Sequence, residues 1–173
     1  MKKLIKGILR VFGLMQVADR LRYYYFKVRN GSSNRKFKKE NPEVELPPDY
    51  LMYEAFGLDY YRYFVNGRKS AQWVVDQVAP FIDLKDALIL DWGCGPGRII
   101  RHLPELIPDA AEYHGTDYNR QTIAWCRQHL HGISFMQNGL NPPVDAAAET
   151  YSLIYGISIF THLSEPAHDQ WLS

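Results

Sequence analysis

Residues 87–98, ALILDWGCGPGR, constrain this chain more than any other stretch. Residues 87–90 are a short apolar run suited to a strand buried on both faces of a parallel sheet. Asp91 ends the run, and Gly93, Gly95 and Gly97 follow at alternate positions. Glycine permits a tight turn and lets a ligand approach the backbone closely. Residues 98–103 then predict a short helix, stopped or kinked by Pro104. The start of such a helix offers unpaired N–H groups and the positive end of its dipole.

The same alternation continues downstream. Residues 112–118, EYHGTDY, read as a second strand closing on Asp117, which lies 20 residues after Gly97. A carboxylate at that distance is placed to accept from ribose hydroxyls in nucleotide-binding α/β units. Asn119 is a candidate N-cap for a helix carrying Ile123, Ala124 and Leu130 on its apolar face. Residues 133–136 predict a third strand and residues 151–155 a fourth. The pattern implies an α/β fold, the first half of a Rossmann-like doubly wound, mostly parallel sheet.

The spacing discriminates between cofactors. A dinucleotide fingerprint, G-x-G-x-x-G, asks for a small residue at position 98, and the residue there is Arg98. The pattern D-x-G-x-G-x-G directly after a strand resembles motif I of the class I S-adenosylmethionine-dependent methyltransferases. The resemblance spans roughly residues 85–170 and includes FTHLSE, which is similar to the fourth-strand region of the small-molecule enzymes. It implies S-adenosylmethionine as cofactor. Asp91 and the backbone of Gly93, Cys94, Gly95 and Gly97 would then face its methionyl part. Asp117 would hold the ribose, and Tyr118 would lie beside the adenine. Gln137, Asn138 and Gly139 would meet the adenine edge, with Asn138 standing where the family often has an acid. Backbone at Gly156 and Ile157 would flank the methionyl group. Tyr61, Gly67 and Arg68 fall in a segment that often closes over the cofactor, and Arg68 could pair with its carboxylate. His162, just after the fourth strand, is the candidate general base for an acceptor hydroxyl.

Plainer readings stand beside these. Asp91 could cap the turn, Asp117 could be a helix-start acid, and His162 could be a packing or substrate-shaping side chain. Cys94 reads as a small turn residue rather than a nucleophile. Cys94 and Cys126 form no C-x-x-C, which suits a reducing, cytoplasmic compartment. His129 and His131 lack partners at ligand spacing, so no metal site is expected. Asn141-Pro142-Pro143 precedes the fourth strand and reads as a turn.

The net charge of +1 conceals a division. Residues 1–39 carry 12 Lys/Arg and one acid, whereas residues 40–173 carry 8 Lys/Arg and 18 acids. Residues 2–15, KKLIKGILRVFGLM, predict a basic amphipathic helix with Leu4, Ile5, Ile8, Val11, Phe12 and Met15 on one side. Lys6 and Arg10 interrupt any signal-peptide apolar core, and the segment is too short to cross a bilayer. It fits a helix lying in a membrane interface. Packing on the protein's own body or a partner subunit, and contact with nucleic acid, remain open. Asn30 to Asn34 predict a turn or linker. The proline-rich residues 41–49 predict a connector, dividing an arm and linker over 1–48 from a partial cofactor domain over 49–173. Residues 70–82 predict a helix with Ser70 as its N-cap.

A full class I core usually has seven strands, and this sequence stops inside the helix expected after the fourth. The expectation is therefore a fragment of a longer protein, lacking the C-terminal strands and weak or dead in catalysis alone. The leading functional expectation is methyl transfer to oxygen, on a small-molecule or glycan- or lipid-linked acceptor, at the inner face of a membrane. An RNA- or protein-directed methyltransferase, or a non-catalytic cofactor-binding protein tethered to a membrane, are the alternatives.

Overall fold

Four strands, β1 (Leu88–Trp92), β2 (Glu112–Asp117), β3 (Ser134–Gln137) and β4 (Leu153–Tyr155), form one sheet in the order β3-β2-β1-β4. Every pairing is parallel. β1 is central, and its Ile89, Leu90 and Asp91 are buried, as expected for a strand covered on both faces. The order places β2 and β3 on one side of β1 and β4 on the other. Connections therefore leave β1 in opposite directions, and ligands of open α/β sheets bind in the crevice at the carboxyl ends of the strands that such a reversal creates. The α/β reading of the sequence is borne out, with the sheet wholly parallel among the described residues.

The computed structural model describes residues 15–172. The basic amphipathic segment expected over residues 2–15 lies, up to residue 14, outside them. Two compact units divide between Arg62 and Tyr63.

The first unit holds α1 (Met15–Arg29), α2 (Gly31–Glu40) and α3 (Asp49–Phe56). The expected turn over Asn30 to Asn34 shrinks to Asn30 itself, because Gly31 already begins α2. Both asparagines satisfy backbone instead. Asn30 Nδ2 donates to the Gly57 carbonyl at 2.9 Å, and Asn34 Nδ2 donates to that of Leu58 at 2.6 Å. Asp49 gathers donors from Lys27 Nζ at 3.0 Å and from the hydroxyls of Tyr23 and Tyr60 at 3.2 Å each. Burial raises the Asp49 pKa, but these donors outweigh it and leave the carboxyl below its ordinary value. Residues 41–48 are non-helical, as a connector should be. α3, beyond them, is bound to α1 by Asp49 and belongs to the same compact unit.

The division lies within α4 (Tyr60–Val78). The helix starts ten residues before the expected cap at Ser70. Ser70 is interior, and its hydroxyl donates to the Asn66 carbonyl one turn back at 2.9 Å. In the second unit, a 3₁₀ turn over Ile100–His102 runs into α5 (Leu103–Leu106). Pro104 does not stop this helix. It sits in its first turn, where a missing N–H costs nothing. α6 (Arg120–His129) is capped by Asn119 as expected, whose side chain accepts from the N–H groups of Gln121 and Thr122. α7 (Glu165–Leu172) follows a second 3₁₀ turn over Phe160–His162. The core of this unit is Ile89, Leu90, Ile100, Leu103, Ile123 and Cys126, all almost fully buried.

Replacing Asn119 with Ala strands two amides at the start of α6. We expect a loss of about 1 kcal/mol in a urea denaturation curve, with strand content in circular dichroism unchanged.

Candidate functional site

The chain leaves β1 through a turn whose three glycines have φ of 72° at Gly93, 53° at Gly95 and 73° at Gly97. Side chains rarely adopt such values. The space around the three glycines differs. A Cβ on Gly93 would lie 2.1 Å from Ile159 Cδ1, and one on Gly97 would lie 2.4 Å from Leu130 Cδ1. A Cβ on Gly95 would meet nothing within 4 Å. The outer glycines are thus closed in by packing, while the middle of the turn opens onto free space.

The turn is fixed from three directions. Gly95 N–H donates to Asp117 Oδ2 at 3.0 Å, and Cys94 N–H donates to the Thr116 carbonyl at 2.8 Å, so the end of β2 holds its first half. The second Asp117 oxygen accepts from Asn119 N–H at 2.8 Å. From α4, the hydroxyl of fully buried Tyr63 donates to the Pro96 carbonyl at 2.7 Å and accepts from Arg101 at 2.9 Å. Burial pushes the Tyr63 pKa above its ordinary range, which keeps the hydroxyl a donor. The third support is the pair of thiols. Cys94 and Cys126 both lie against the Gly95 carbonyl, at 3.3 and 3.6 Å. Burial pushes Cys126 up to about 12 and Cys94 also well upward, so both stay protonated and neither is an activated nucleophile.

Asp91 is the most perturbed carboxyl. It is buried at the end of β1, between Gly115 of β2 and Tyr155 of β4 in the sheet register. Burial pushes its pKa up to about 7. Tyr155 and the Arg98 charge pull it down, and the Asp117 charge pushes it further up. Asp117 is raised too, by burial, against the amides of Asn119 and Gly95.

Other expected site residues are distributed around this turn. Tyr118 is 60% exposed directly after β2, and Gln137 Nε2 donates to its carbonyl at 3.1 Å. Asn138 follows β3, and its N–H donates to the Asp117 carbonyl at 3.2 Å, which ties the β2 and β3 ends together. Its side-chain Nδ2 donates to the Gly139 carbonyl at 2.6 Å, while its Oδ1 is buried with no donor. Gly156 is seated on Trp92, where a Cβ would meet the ring at 3.0 Å. Half-buried Ile157 follows it. His162 is exposed, on the 3₁₀ turn that Ile159 anchors over Gly93.

Arg68 is engaged elsewhere. It forms a bidentate pair with Glu105, one contact of 2.7 Å, on an exposed surface. The basic residues nearest the turn in the chain are Arg98, which donates to Ser70 Oγ at 3.1 Å, and Arg101. Gly67 has a packing reason, since a Cβ there would lie 2.4 Å from the Arg98 carbonyl. Tyr61 is exposed. Sequence reasoning missed Tyr63, Arg101 and Ile159. Nothing in periodicity marks a tyrosine hydroxyl that reaches a carbonyl 33 positions away.

Free space over Gly95, a carboxylate at the end of β2 and an acceptor without a donor at the end of β3 lie at the carboxyl ends of adjacent strands. Each Asp117 oxygen has a lone pair beyond those taken by Gly95 and Asn119. Asn138 Oδ1 lacks a donor, and the exocyclic amine of adenine is one. These residues fit S-adenosylmethionine.

A family model described as a methyltransferase domain matches residues 89–173. Among solved structures, a methyltransferase dependent on S-adenosylmethionine from Aquifex aeolicus is 18% identical, covering 70% of this chain and 62% of its own, with a TM-score of 0.50. It shows the fold. A TehB-like S-adenosylmethionine-dependent methyltransferase from Corynebacterium glutamicum is 24% identical, covering 62% of this chain and 64% of its own, with a TM-score of 0.42. Magnesium protoporphyrin IX methyltransferase from Synechocystis is 15% identical, covering 78% and 57%, with a TM-score of 0.44. The chain thus spans less than two thirds of the length of each of these structures.

Two substitutions probe the site. Tyr63→Phe leaves the Pro96 carbonyl without its buried donor. We expect a loss of about 1–3 kcal/mol and faster amide exchange at Gly95 and Gly97, read by NMR. Asp91→Asn reports on pH. The folded Asp91 pKa is raised, so the stability it contributes is present below about pH 4 and is lost as pH rises through about 7. Buried His102 behaves oppositely. Burial lowers it to about 4, so its contribution is lost as pH falls from about 6.5. The two slopes oppose each other between pH 4 and 6.5. We expect Asp91→Asn to gain stability steadily across that interval while the parent chain changes less, measured as urea midpoints.

Proposed function

We propose that this chain, whose residues 89–173 match a methyltransferase-domain model, is a class I S-adenosylmethionine-dependent enzyme that transfers methyl to an oxygen of a small-molecule acceptor, or of one linked to a glycan or lipid carrier. The observation that carries this reading is the glycine turn at the reversal of strand order, open at Gly95 and backed by Asp117. S-adenosylmethionine, when bound, supplies an electrophilic methyl on a sulfonium. The task left to the chain is to hold, orient and exclude water.

In this reading Asp117 accepts from the ribose hydroxyls through its remaining lone pairs. Asn138 Oδ1 accepts from the adenine amine, with the exposed ring of Tyr118 and the backbone of Gly139 beside it. The backbone of Gly93, Cys94, Gly95 and Gly97, with that of Gly156 and Ile157, borders the methionyl group. Asp91 gains from the positive charge there, because a cation near a buried carboxyl favours its ionised form. Arg68 is not assigned to the methionyl carboxylate, since its guanidinium is taken by Glu105.

His162 stands on the segment that Ile159 seats over Gly93. It takes the proton of the acceptor hydroxyl as the new carbon–oxygen bond forms and the carbon–sulfur bond breaks.

Transfer of labelled methyl to panels of hydroxylated small molecules and lipid-linked sugars tests the proposal. We expect turnover on a hydroxyl acceptor, and a loss of roughly a hundredfold or more in kcat for His162→Gln with little change in cofactor affinity. Asp117→Asn should weaken cofactor binding roughly tenfold or more. Methylation confined to amines, or full activity of His162→Gln, would contradict it.

A further inference from the structure

α1 is apolar on two faces, and among the described residues only one of them has a partner. On the inner side, Tyr23 and Phe26 pack against Tyr53 of α3, with ring centroids 5.4 and 6.4 Å apart. The Tyr53 hydroxyl donates to Asp19, and Lys27 pairs with Asp49. On the opposite side, Val17, Leu21, Tyr24, Tyr25 and Val28 are exposed, Leu21 by 66% and Val28 by 83%. At 100° per residue these five positions fall within an arc of about 100°, the width of an interfacial stripe, and extend about 17 Å along the axis.

Charge decides what covers that stripe. Arg20 and Lys27 border one side of it and Arg22 and Arg29 the other, and all four are exposed. The Arg29 guanidinium lies 5.9 Å from the centroid of the Tyr25 ring, so the basic edge adjoins the aromatic one. Across residues 15–40 there are eight basic residues and two acids. Asp19 accepts from the Tyr53 hydroxyl, and Glu40 lies 3.8 Å from Lys36. A second copy laid on the stripe by two-fold symmetry would bring arginine rows against arginine rows. A nucleic-acid backbone would leave Val17, Leu21 and Val28 against water. A surface both apolar beneath and anionic above satisfies both parts.

We propose that the outer face of α1 docks on an anionic lipid surface, with Val17, Leu21 and Val28 in the acyl boundary, Tyr24 and Tyr25 at headgroup depth, and Arg20 and Arg29 on lipid phosphates. This docking does not depend on the methyl-transfer reading. No helix among the described residues is long and apolar enough to cross a membrane, so the helix lies in the interface. Basic residues near such a surface each strengthen partition by roughly fivefold.

Co-sedimentation of the full 173-residue chain with phosphatidylglycerol/phosphatidylcholine vesicles, compared with phosphatidylcholine alone, is the test. We expect at least roughly tenfold stronger partition onto the anionic vesicles, and loss of most of it in the double variant Leu21→Glu, Val28→Glu. Both residues are exposed, so the variant should melt like the parent. A spin label on Val28→Cys should lose contact with aqueous relaxants when vesicles are added, the two native cysteines being buried. Binding of the double variant equal to the parent would overturn the proposal, because residues 2–15 would then suffice. So would a label that stays in water, a concentration-dependent dimer abolished by the double substitution, or tighter binding to a single-stranded RNA than to anionic vesicles.

Discussion

The acceptance of the Gly95 amide by Asp117 is the interaction on which the site depends. It joins the turn after β1 to the end of β2, and Asn138 extends the connection to the end of β3 through the Asp117 carbonyl. The three strand ends are thereby held in one register. A turn with three residues at positive φ would otherwise have many alternatives, since glycine loses the most conformational freedom on folding. Tyr63 from α4 and the two thiols close the remaining ways for the turn to relax.

Holding the turn this way has an electrostatic cost that is concentrated in one place. Asp91 and Asp117 are both buried near the opening, both are raised by burial, and the Asp117 charge raises Asp91 further. Such a pair is poorly compensated from within the protein. It is well suited to a ligand that brings positive charge near Asp91 and hydroxyl donors to Asp117, as S-adenosylmethionine does. Unbalanced charge at a site, set on a sheet whose apolar core is otherwise regular, marks the part of the fold shaped for binding.

Much of this was legible in the residues. The run before Asp91, the alternate glycines, the acid 20 positions after Gly97 and the Asn119 cap each depend on local chemistry, and the strands and α6 follow them closely. What was not legible rests on distant partners. α4 begins at Tyr60, whose aromatic stretch puts Tyr60 and Tyr63 on a buried face at helical spacing, so Ser70 is interior and not a cap. Pro104 is tolerated because it falls in a first turn. Arg68 pairs with Glu105, 37 positions away, and Tyr63 reaches Pro96 across 33, distances at which spacing carries no information.

The central claim is that the turn around Gly95 is a cofactor cradle, and isothermal titration of the 173-residue chain with S-adenosylmethionine tests it most directly. Run near pH 7 in two buffers of different ionisation enthalpy, the account predicts saturable binding to one site with release of up to about half a proton, as the protonated fraction of Asp91 ionises beside the incoming charge. It further predicts that Asp91→Asn abolishes the proton release. Absence of binding heat in the folded chain, or binding with no proton release in either buffer, would contradict it.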